Sequence, residues 1–443
     1  MEKLIKGVDK WKELIYATEN YIWENPETGY KEVKTTAYMK EQFEKLGYTL
    51  TMAENTTGFF TVIDTGREGP TVLVLGELDS VICPSHPCSD KVTGAVHACG
   101  HHCQCAALVG IAASLKEEGA LDALSGKIML CAVPAEELLE IGFRRDLIKK
   151  GVISYFGGKT EFLSRGYFDN VDMAFMIHTG GDYSTQIGHI GCIAKEIIYK
   201  GKASHAGGNP WDGNNALYAA TNGLNSANAL RETFYDGDVI RFHPIITEGG
   251  QMVNAIPEKV KIESYVRGKT YDAILKVNKR INQALCGSAL SLNTNVEIID
   301  APGYAPEIND PNMTEAFKEA MALALPSVPL RIGTGTSSGS TDMGDLSCLM
   351  PTIQPFSGGS CGLGHGNNYY IKDHEQATVN SAKAQLGLLY VLLKDNAIRA
   401  KEIIASFTPR FASIKDYLDY INAIFSEGNR VTYNDDGTAT VKI

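Results

Sequence analysis

The residues Val72-Leu73-Val74-Leu75-Gly76-Glu77-Leu78-Asp79 form an apolar run that leads directly into two acidic side chains. Similar runs occupy residues 59–63, 128–133 and 171–177. Runs with so little polar alternation are typical of parallel strands that are covered on both faces. Apolar residues at helical spacing predict a helix over residues 102–118, before the run at 128–133. The order of strand, helix and strand predicts an α/β domain with a mixed, largely parallel sheet that helices cover.

Four of the predicted strands lead to an acidic side chain or a histidine. Besides the opening run, the run at 128–133 leads to Glu136 and Glu137, and the run at 171–177 leads to His178. A later run at 351–356 leads through a glycine-rich loop to His365. Because ligands of open α/β sheets bind beyond the carboxyl ends of the strands, we expect these side chains to share one site.

Residues 191–300 have a different pattern from the rest of the chain. Alternating segments at 193–200 and 259–267 predict half-exposed strands, and helices are expected near 213–231 and 270–286. We therefore predict that an α+β domain at 191–300 is inserted into an α/β domain formed by residues 1–190 and 301–443. The last part, 301–443, is expected to carry a C-terminal helical extension, and the polar tail after residue 426 has no assigned role.

Composition excludes several classes of protein. The 443 residues carry a formal net charge of −11, whereas a protein that binds duplex nucleic acid has a basic footprint. No apolar run reaches the roughly 18 residues that a membrane-spanning helix needs. The first ten residues are charged throughout and lack the apolar core of a signal peptide. We therefore expect a cytoplasmic protein without nucleic-acid or membrane partners.

The segment His97-Ala98-Cys99-Gly100-His101 places a thiol and an imidazole two residues apart at the start of a predicted helix. Thiolate and imidazole ligands suit zinc, whereas manganese prefers harder ligands. His102, Cys103 and Cys105 follow directly, and the two cysteines are either additional soft ligands or, as we favour, part of the helix packing. An iron–sulfur protein would need a further cysteine such as Cys88.

Adjacent carboxylates at Glu136 and Glu137 point to different sides of an extended chain. One can therefore bind a metal while the other faces the substrate as a base. The expected ligand set is Cys99, His101, Glu137, His178 and His365. Five ligands exceed what one tetrahedral zinc uses, so the set predicts two divalent metal ions that share a bridging ligand.

A series of short motifs extends over nearly the whole chain. The motifs are Gly-Glu-Leu-Asp at 76–79, His-Ala-Cys-Gly-His at 97–101, Pro-Ala-Glu-Glu at 134–137, Gly-Lys-Ala-Ser-His-Ala at 201–206, Gly-Gly at 249–250, Asn-Ala-Ile-Pro at 254–257, Gly-Ser-Thr-Asp at 339–342 and Gly-His at 364–365. In this order they resemble the M20 metallopeptidases, in particular the aminoacylase branch with its aminobenzoyl-glutamate hydrolase-like members. The chain departs from that branch at His102, where the branch usually has Asp or Asn.

The resemblance implies a role for each matching residue. The five ligands would hold two zinc or manganese ions, Glu136 would be the general base, and Asp79 would orient a ligand histidine. The inserted domain would act as a lid and dimerisation domain, and its His205 would reach the active site of the partner subunit in a homodimer. Asn254 and Arg267 would hold the carboxylate of the substrate.

The resemblance also implies the reaction, which is hydrolysis of an amide bond in an N-acyl amino acid, an aminobenzoyl-glutamate-like compound or a dipeptide. Two alternatives remain open on the sequence alone. One is hydrolytic release of an amine from a non-peptide arylamine, and the other is a non-catalytic metal-binding relative. Residues 138–156 form an insertion beside the base that can reshape the substrate pocket, so a narrow specificity is not carried over.

Overall fold

The computed structural model describes residues 1–443. Its α-helices are α1 (Glu2–Lys10), α2 (Lys12–Glu24), α3 (Val33–Lys45), α4 (His101–Leu115), α5 (Ile141–Lys149), α6 (Gly158–Ser164), α7 (Ala216–Ala229), α8 (Tyr271–Ser291), α9 (Pro311–Ala324), α10 (Met343–Ser347), α11 (Asn380–Ser406, broken at 394–397) and α12 (Ile414–Asn422). None of them combines the length and the apolar character that a membrane span requires.

A six-stranded sheet forms the centre of the first domain. Its strands, in spatial order, are Thr51–Met52, Phe59–Asp64, Lys127–Val133, Thr71–Glu77, Met173–Phe175 and Thr352–Ile353. The last four are parallel to one another, and the first two are antiparallel to their neighbours. The predicted mixed, largely parallel sheet is therefore confirmed.

Helices cover this sheet on both faces, as the apolar runs predict. Along the strand Thr71–Glu77, Val72 and Val74 belong to a core that also contains residues of α1, α4, α9 and α11. Leu73 and Leu75 point to the opposite face and pack in a second core with residues of α6, α10 and α12. Because successive side chains of a strand alternate between faces, a strand buried on both sides must be apolar at every position.

A second six-stranded sheet is antiparallel and lies in the second domain. Its strands, in spatial order, are Arg241–Phe242, Lys259–Gly268, Gly191–Lys200, Asn295–Tyr304 and Ser426–Asn429, and Ile245–Glu248 also pairs with Lys259–Gly268. Helices α7 and α8 pack against the core of this sheet. A four-stranded sheet contains Arg331–Ile332, Ser184–Thr185, Phe356–Ser357 and His178–Thr179, in that spatial order. The remaining strands form four two-stranded sheets, which are Val81–Ile82 with Ala95–Val96, Gly188–His189 with Thr336–Ser337, Ser360–Cys361 with Tyr370–Ile371, and Val431–Tyr433 with Ala439–Val441.

The structure differs from the sequence prediction at the domain boundaries. The strand Asn295–Tyr304 crosses the predicted boundary at residue 300, because it pairs with Gly191–Lys200 along its whole length. The polar tail is not a further part of the first domain, since Ser426–Asn429 is an edge strand of the second sheet. Residues 1–46 contain the three helices α1, α2 and α3, and α1 ends at Lys10 before α2 begins at Lys12.

The register of the first sheet decides where the functional side chains meet. The parallel strands Thr71–Glu77 and Lys127–Val133 are adjacent, and Glu77 pairs with Val133 at their carboxyl ends. The acidic turn at Glu136 and Glu137 therefore begins beside Glu77. The pairing continues one residue further, since the amide N–H of Leu78 donates to the carbonyl oxygen of Val133 at 3.0 Å. Asp79 follows Leu78 and therefore also lies beside the acidic turn.

Candidate metal centre

The turn that carries Glu136 and Glu137 is held by a buried arginine. Arg144 is 1% exposed, and its guanidinium donates to the carbonyl oxygens of Ala135, Phe156 and Glu137. Ala135 adopts a positive φ of 56°, which is uncommon for a residue with a side chain. Arg144 belongs to α5 in the insertion at 138–156, so this insertion fixes the shape of the turn that carries the predicted base.

The Cys99–His101 turn depends on glycine at its centre. Gly100 has a φ of 90°, and a Cβ atom there would lie 2.5 Å from Oη of Tyr369 and 2.7 Å from Cβ of Thr179. Only glycine fits such a position without strain. Helix α4 begins directly after it, so the turn aims Cys99 and His101 at the ends of the central strands.

Asp79 connects the turn that carries His101 with the turn that carries Glu136 and Glu137. The Nδ1 atom of His101 donates to the carbonyl oxygen of Asp79 at 2.9 Å and lies 3.3 Å from its carboxylate. The other carboxylate oxygen accepts a hydrogen bond from the backbone N–H of Glu137 at 2.8 Å. Since Nδ1 carries the proton, Nε2 of His101 is left with a lone pair for a metal ion. These contacts agree with the orienting role that the resemblance implies for Asp79.

The structure brings all five predicted ligands together as two overlapping sets. In each set the potential ligand atoms lie within 4.8 Å of one another, and the sets are Cys99, His101 and His178, and Cys99, Glu137 and His365. The Sγ atom of Cys99 is 3.4 Å from Nε2 of His178, and Nε2 of His365 is 3.1 Å from Oε1 of Glu137. Cys99 is common to both sets.

The donor atoms fit divalent cations. Nε2 of His101 and Oε1 of Glu137 are buried and make no well-aligned hydrogen bond, although an oxygen of Glu77 lies 3.2 Å from the first atom and Nε2 of His365 lies 3.1 Å from the second. Native proteins rarely leave buried polar atoms unpaired, so these atoms indicate a missing partner. The mixture of thiolate, imidazole and carboxylate matches the ligands of zinc and related ions.

Electrostatics favour anionic ligands here. Burial and the Glu137 carboxylate act to raise the pKa of the Cys99 thiol, but three neighbouring imidazoles lower it to about 6. Burial likewise acts against ionisation of Glu137, yet His365 and His101 hold the pKa of that carboxyl well below its usual range. Thiolate and carboxylate are therefore available to a cation near neutral pH.

Glu136 differs from Glu137 in its surroundings. Burial, followed by the carboxylates of Glu77 and Glu137, raises the pKa of Glu136 well above that of an exposed glutamate. Its Oε2 atom lies 3.9 Å from Nε2 of His101. A carboxyl group whose pKa is raised can accept and return a proton, which is what a general acid–base residue must do.

A buried ion-pair network beneath the turn was not predicted. Nζ of Lys159 is 2.5 Å from Oε1 of Glu77 and also donates to Asp342, and all three side chains are fully buried. The second oxygen of Glu77 lies 3.2 Å from Nε2 of His101. Glu77 and Asp342 stand in motifs that the sequence displays, but nothing in the sequence indicates that Lys159 pairs with them.

A cavity of about 460 Å³ opens over Glu136 and four of the five predicted ligands, since only His101 is absent from its wall. Arg267 lies in its wall together with His243 and Tyr265, and Leu138 and Leu139 from the insertion add apolar surface. His205 and Asn254 are absent from this wall. Both are exposed at the tip of the second domain, where the amide N–H of Ala206 donates to the carbonyl oxygen of Asn254 at 2.9 Å. Of the predicted substrate-binding pair, the single chain therefore brings only Arg267 to the cavity.

A family model described as peptidase family M20/M25/M40 matches residues 73–390, which is more than half of the chain. The chain belongs to this family. The M20 resemblance of the sequence motifs is thus confirmed, and the protein is a metal-binding hydrolase of amide bonds.

Individual relatives agree with the M20 assignment. The chain is 27% identical over 412 residues to an Xaa-Arg dipeptidase of Homo sapiens, covering 91% of this chain and 88% of the relative. A solved dinuclear metal-binding M20 peptidase of Bacillus subtilis aligns with a TM-score of 0.63 at 20% identity, covering 88% of this chain and all of that one. An aminobenzoyl-glutamate utilization protein of Klebsiella pneumoniae aligns with a TM-score of 0.66 at 18% identity, covering 89% and 100%.

We expect replacement of Glu136 to lower turnover and replacement of Glu137 to lower the metal content. Glu136→Gln should keep bound metal but lower kcat by about 10²–10⁴-fold, since general acid–base groups contribute that much. Glu137→Gln should lose metal, because the amide is a poor ligand. Glu140→Gln is the matched control, because that carboxylate bonds to Thr28 and Lys31 instead. Turnover and elemental analysis check all three variants, and an active Glu136→Gln enzyme would assign the base elsewhere.

Proposed function

We propose that this M20 enzyme hydrolyses the amide bond of a small substrate that carries a carboxylate beside that bond. An N-acyl amino acid, an aminobenzoyl-glutamate-like compound and a dipeptide all have this feature. The observation that supports the proposal is the state of Arg267 in the cavity wall. Its guanidinium is half-buried, its Nε atom has no hydrogen-bond partner, and no carboxylate of the chain pairs with it.

The surroundings of Arg267 prepare it for an anion from outside the chain. Its Cζ atom lies 5.2 Å from the ring centroid of Tyr265, so the guanidinium rests near an aromatic ring that limits its motion. A partly buried cation without a counter-ion is costly, and a substrate carboxylate would relieve that cost through two parallel hydrogen bonds. Arg267 and Glu136 line the same cavity, so the carboxylate and the scissile bond fit one small molecule.

The residues of the chain divide the work of hydrolysis. Glu136 takes a proton from the attacking water and returns it to the leaving amine, and Arg267 orients the substrate through its carboxylate. Two bound divalent cations would polarise the amide carbonyl and lower the pKa of the water. Asp79 keeps His101 in the tautomer whose Nε2 is free, and Arg144 and Lys159 stabilise the acidic turns that face the cavity.

We further propose that both cations are zinc and that Cys99 is the ligand they share. Its Sγ atom is the one donor that belongs to both ligand sets. A thiolate is a soft ligand, and soft ligands favour zinc over manganese. The imidazoles of His178 and His365 and the carboxylate of Glu137 complete the two sets.

Arg267→Ala should weaken catalysis only on substrates with a free carboxylate. A charge-assisted hydrogen bond contributes roughly 1.5–3 kcal/mol, so kcat/KM should fall by roughly 10- to 150-fold on N-acyl amino acids. On the same compounds amidated at the carboxylate the loss should be small. Arg241→Ala is the matched control, since Arg241 pairs with Arg267 on the neighbouring antiparallel strand but lies outside the cavity wall.

Equal losses on the acid and amide substrates would show that Arg267 supports the structure rather than the substrate. The same assay separates the alternative of an arylamine substrate, which has no carboxylate for Arg267 to bind. Faster turnover of a simple arylamine than of any acyl amino acid, read by mass spectrometry of the products, would favour that alternative.

We also propose that the enzyme is a homodimer in which His205 and Asn254 act on the partner's cavity. Both side chains are exposed at one tip of the second domain, where His205 forms a bridge with Ala255. Large apolar side chains surround this tip without cover, since Trp211 is 78% exposed and Val253 is fully exposed. Exposed apolar residues grouped in this way are typical of a protein interface.

Complementation between inactive subunits tests the shared site. A mixture of His205→Ala and Glu136→Gln chains should recover activity after subunit exchange, because one site of the mixed dimer combines an intact Glu136 with an intact His205. A mixture of Cys99→Ala and Glu136→Gln is the control and should stay inactive, since both lesions lie in the cavity of one chain. No recovery in the first mixture despite proven exchange would contradict the proposal.

A further inference from the structure

A second group of potential ligand atoms lies at the start of α4, separate from the catalytic cavity. It consists of Glu19 in α2, His102 and Cys103 in the first turn of α4, and His374 just before the helical turn that leads into α11. None of the four lines the cavity. Glu19 is 2%, His102 1% and Cys103 0% exposed, and Glu19, His102 and Cys103 have donor atoms within 4.8 Å of one another.

The distances between these atoms approach those around a tetrahedral zinc ion. The Sγ atom of Cys103 lies 3.4 Å from Nε2 of His102 and 3.7 Å from Oε1 of Glu19. Zinc bonds of about 2.3 Å to sulfur and about 2.0–2.2 Å to nitrogen or oxygen place neighbouring ligand atoms roughly 3.3–3.6 Å apart at tetrahedral angles. Both separations therefore need little change for an ion to bind.

His374 would supply the fourth ligand and the route of entry, but its imidazole must move to do so, because its nitrogens do not lie within 4.8 Å of all three other donor atoms. Its Nδ1 atom lies 2.6 Å from Oε1 of Glu19, which is a hydrogen-bond distance and must lengthen by roughly 0.7 Å to share an ion. The side chain of His374 is 54% exposed, so it has room to move. The other three ligands are buried, and the exposed imidazole is where an ion would enter.

Charge balance also favours a divalent cation here. Ionised Glu19 and the thiolate of Cys103 together carry two negative charges, which one zinc ion neutralises, so the closed site has no net charge to bury.

We propose that Glu19, His102, Cys103 and His374 bind a third zinc ion in a structural site closed by four protein ligands. On binding, the thiol proton of Cys103 and the proton shared by Glu19 and His374 pass to solvent. The ion would join α2, α4 and the segment before α11, which are far apart in the sequence. Since His102 directly follows His101, the site would fix the first turn of α4 and with it the catalytic ligands.

Zinc stoichiometry of the full-length enzyme tests the proposal. Protein loaded with zinc and freed of loosely bound ions should contain three zinc ions per chain by elemental analysis, and Cys103→Ala should contain two. Cys105→Ala is the matched control, since this cysteine is equally buried in α4 but its thiol donates to the carbonyl oxygen of Glu77 at 3.0 Å. The control should keep three ions. Two ions in the unaltered enzyme, or three in Cys103→Ala, would overturn the proposal.

A second variant tests the same site without altering a buried residue, in case Cys103→Ala does not fold. His374→Ala changes a half-exposed side chain, so the fold should survive, and the zinc content should again fall from three to two ions. Cobalt then identifies the thiolate directly. In Cys99→Ala protein the catalytic thiolate is missing, so a remaining thiolate-to-cobalt absorption band that disappears in the Cys99→Ala, Cys103→Ala double variant assigns the ligand to Cys103. Absence of the band in folded Cys99→Ala protein would contradict the assignment.

Discussion

Buried carboxylates converge at the carboxyl ends of two adjacent parallel strands, and their mutual repulsion is the constraint to which the rest of the site responds. Glu77, Asp79, Glu136 and Glu137 are all at most 7% exposed. Burial and like-charge neighbours both disfavour ionisation, so such a group of acids is stable only if protons or cations compensate it. The raised pKa of Glu136 and the lowered pKa of Glu137 agree with a division of the group into one proton carrier and one anionic ligand.

The side chains that compensate these carboxylates come from helices that follow the acidic residues in the sequence. Lys159 neutralises Glu77 from α6, and Arg144 holds the carbonyl groups of the acidic turn from α5. These two cations do not by themselves balance all the acids, and the remaining carboxylates lie beside the candidate ligands Cys99, His101, His178 and His365, whose imidazoles also stabilise negative charge. Divalent cations bound at the candidate metal centre would therefore also compensate the negative charge of this sheet edge. The insertion at 138–156 takes part through Arg144, so it cannot be removed without disturbing the base.

The sequence predicted that the strand-end acids and the five candidate ligands meet at one place, because parallel strands bring their carboxyl ends to one edge whatever the length of the connections. It did not predict the partners of Lys159 and Arg144, since a lone basic residue carries no signal of which buried acid or carbonyl it will contact. The strand Ser426–Asn429 was also missed. It lies at the edge of the second sheet and is largely polar, so it lacks the apolar alternation by which strands are recognised.

The proposed sharing of Cys99 between two zinc ions is tested most directly by anomalous X-ray scattering at the zinc edge. Crystals of the zinc-loaded enzyme should show two peaks in the cavity, one near His101 and His178 and the other near Glu137 and His365. Both peaks should lie at bonding distance from Sγ of Cys99. A single peak in the cavity, or two peaks of which only one contacts the sulfur, would contradict the account.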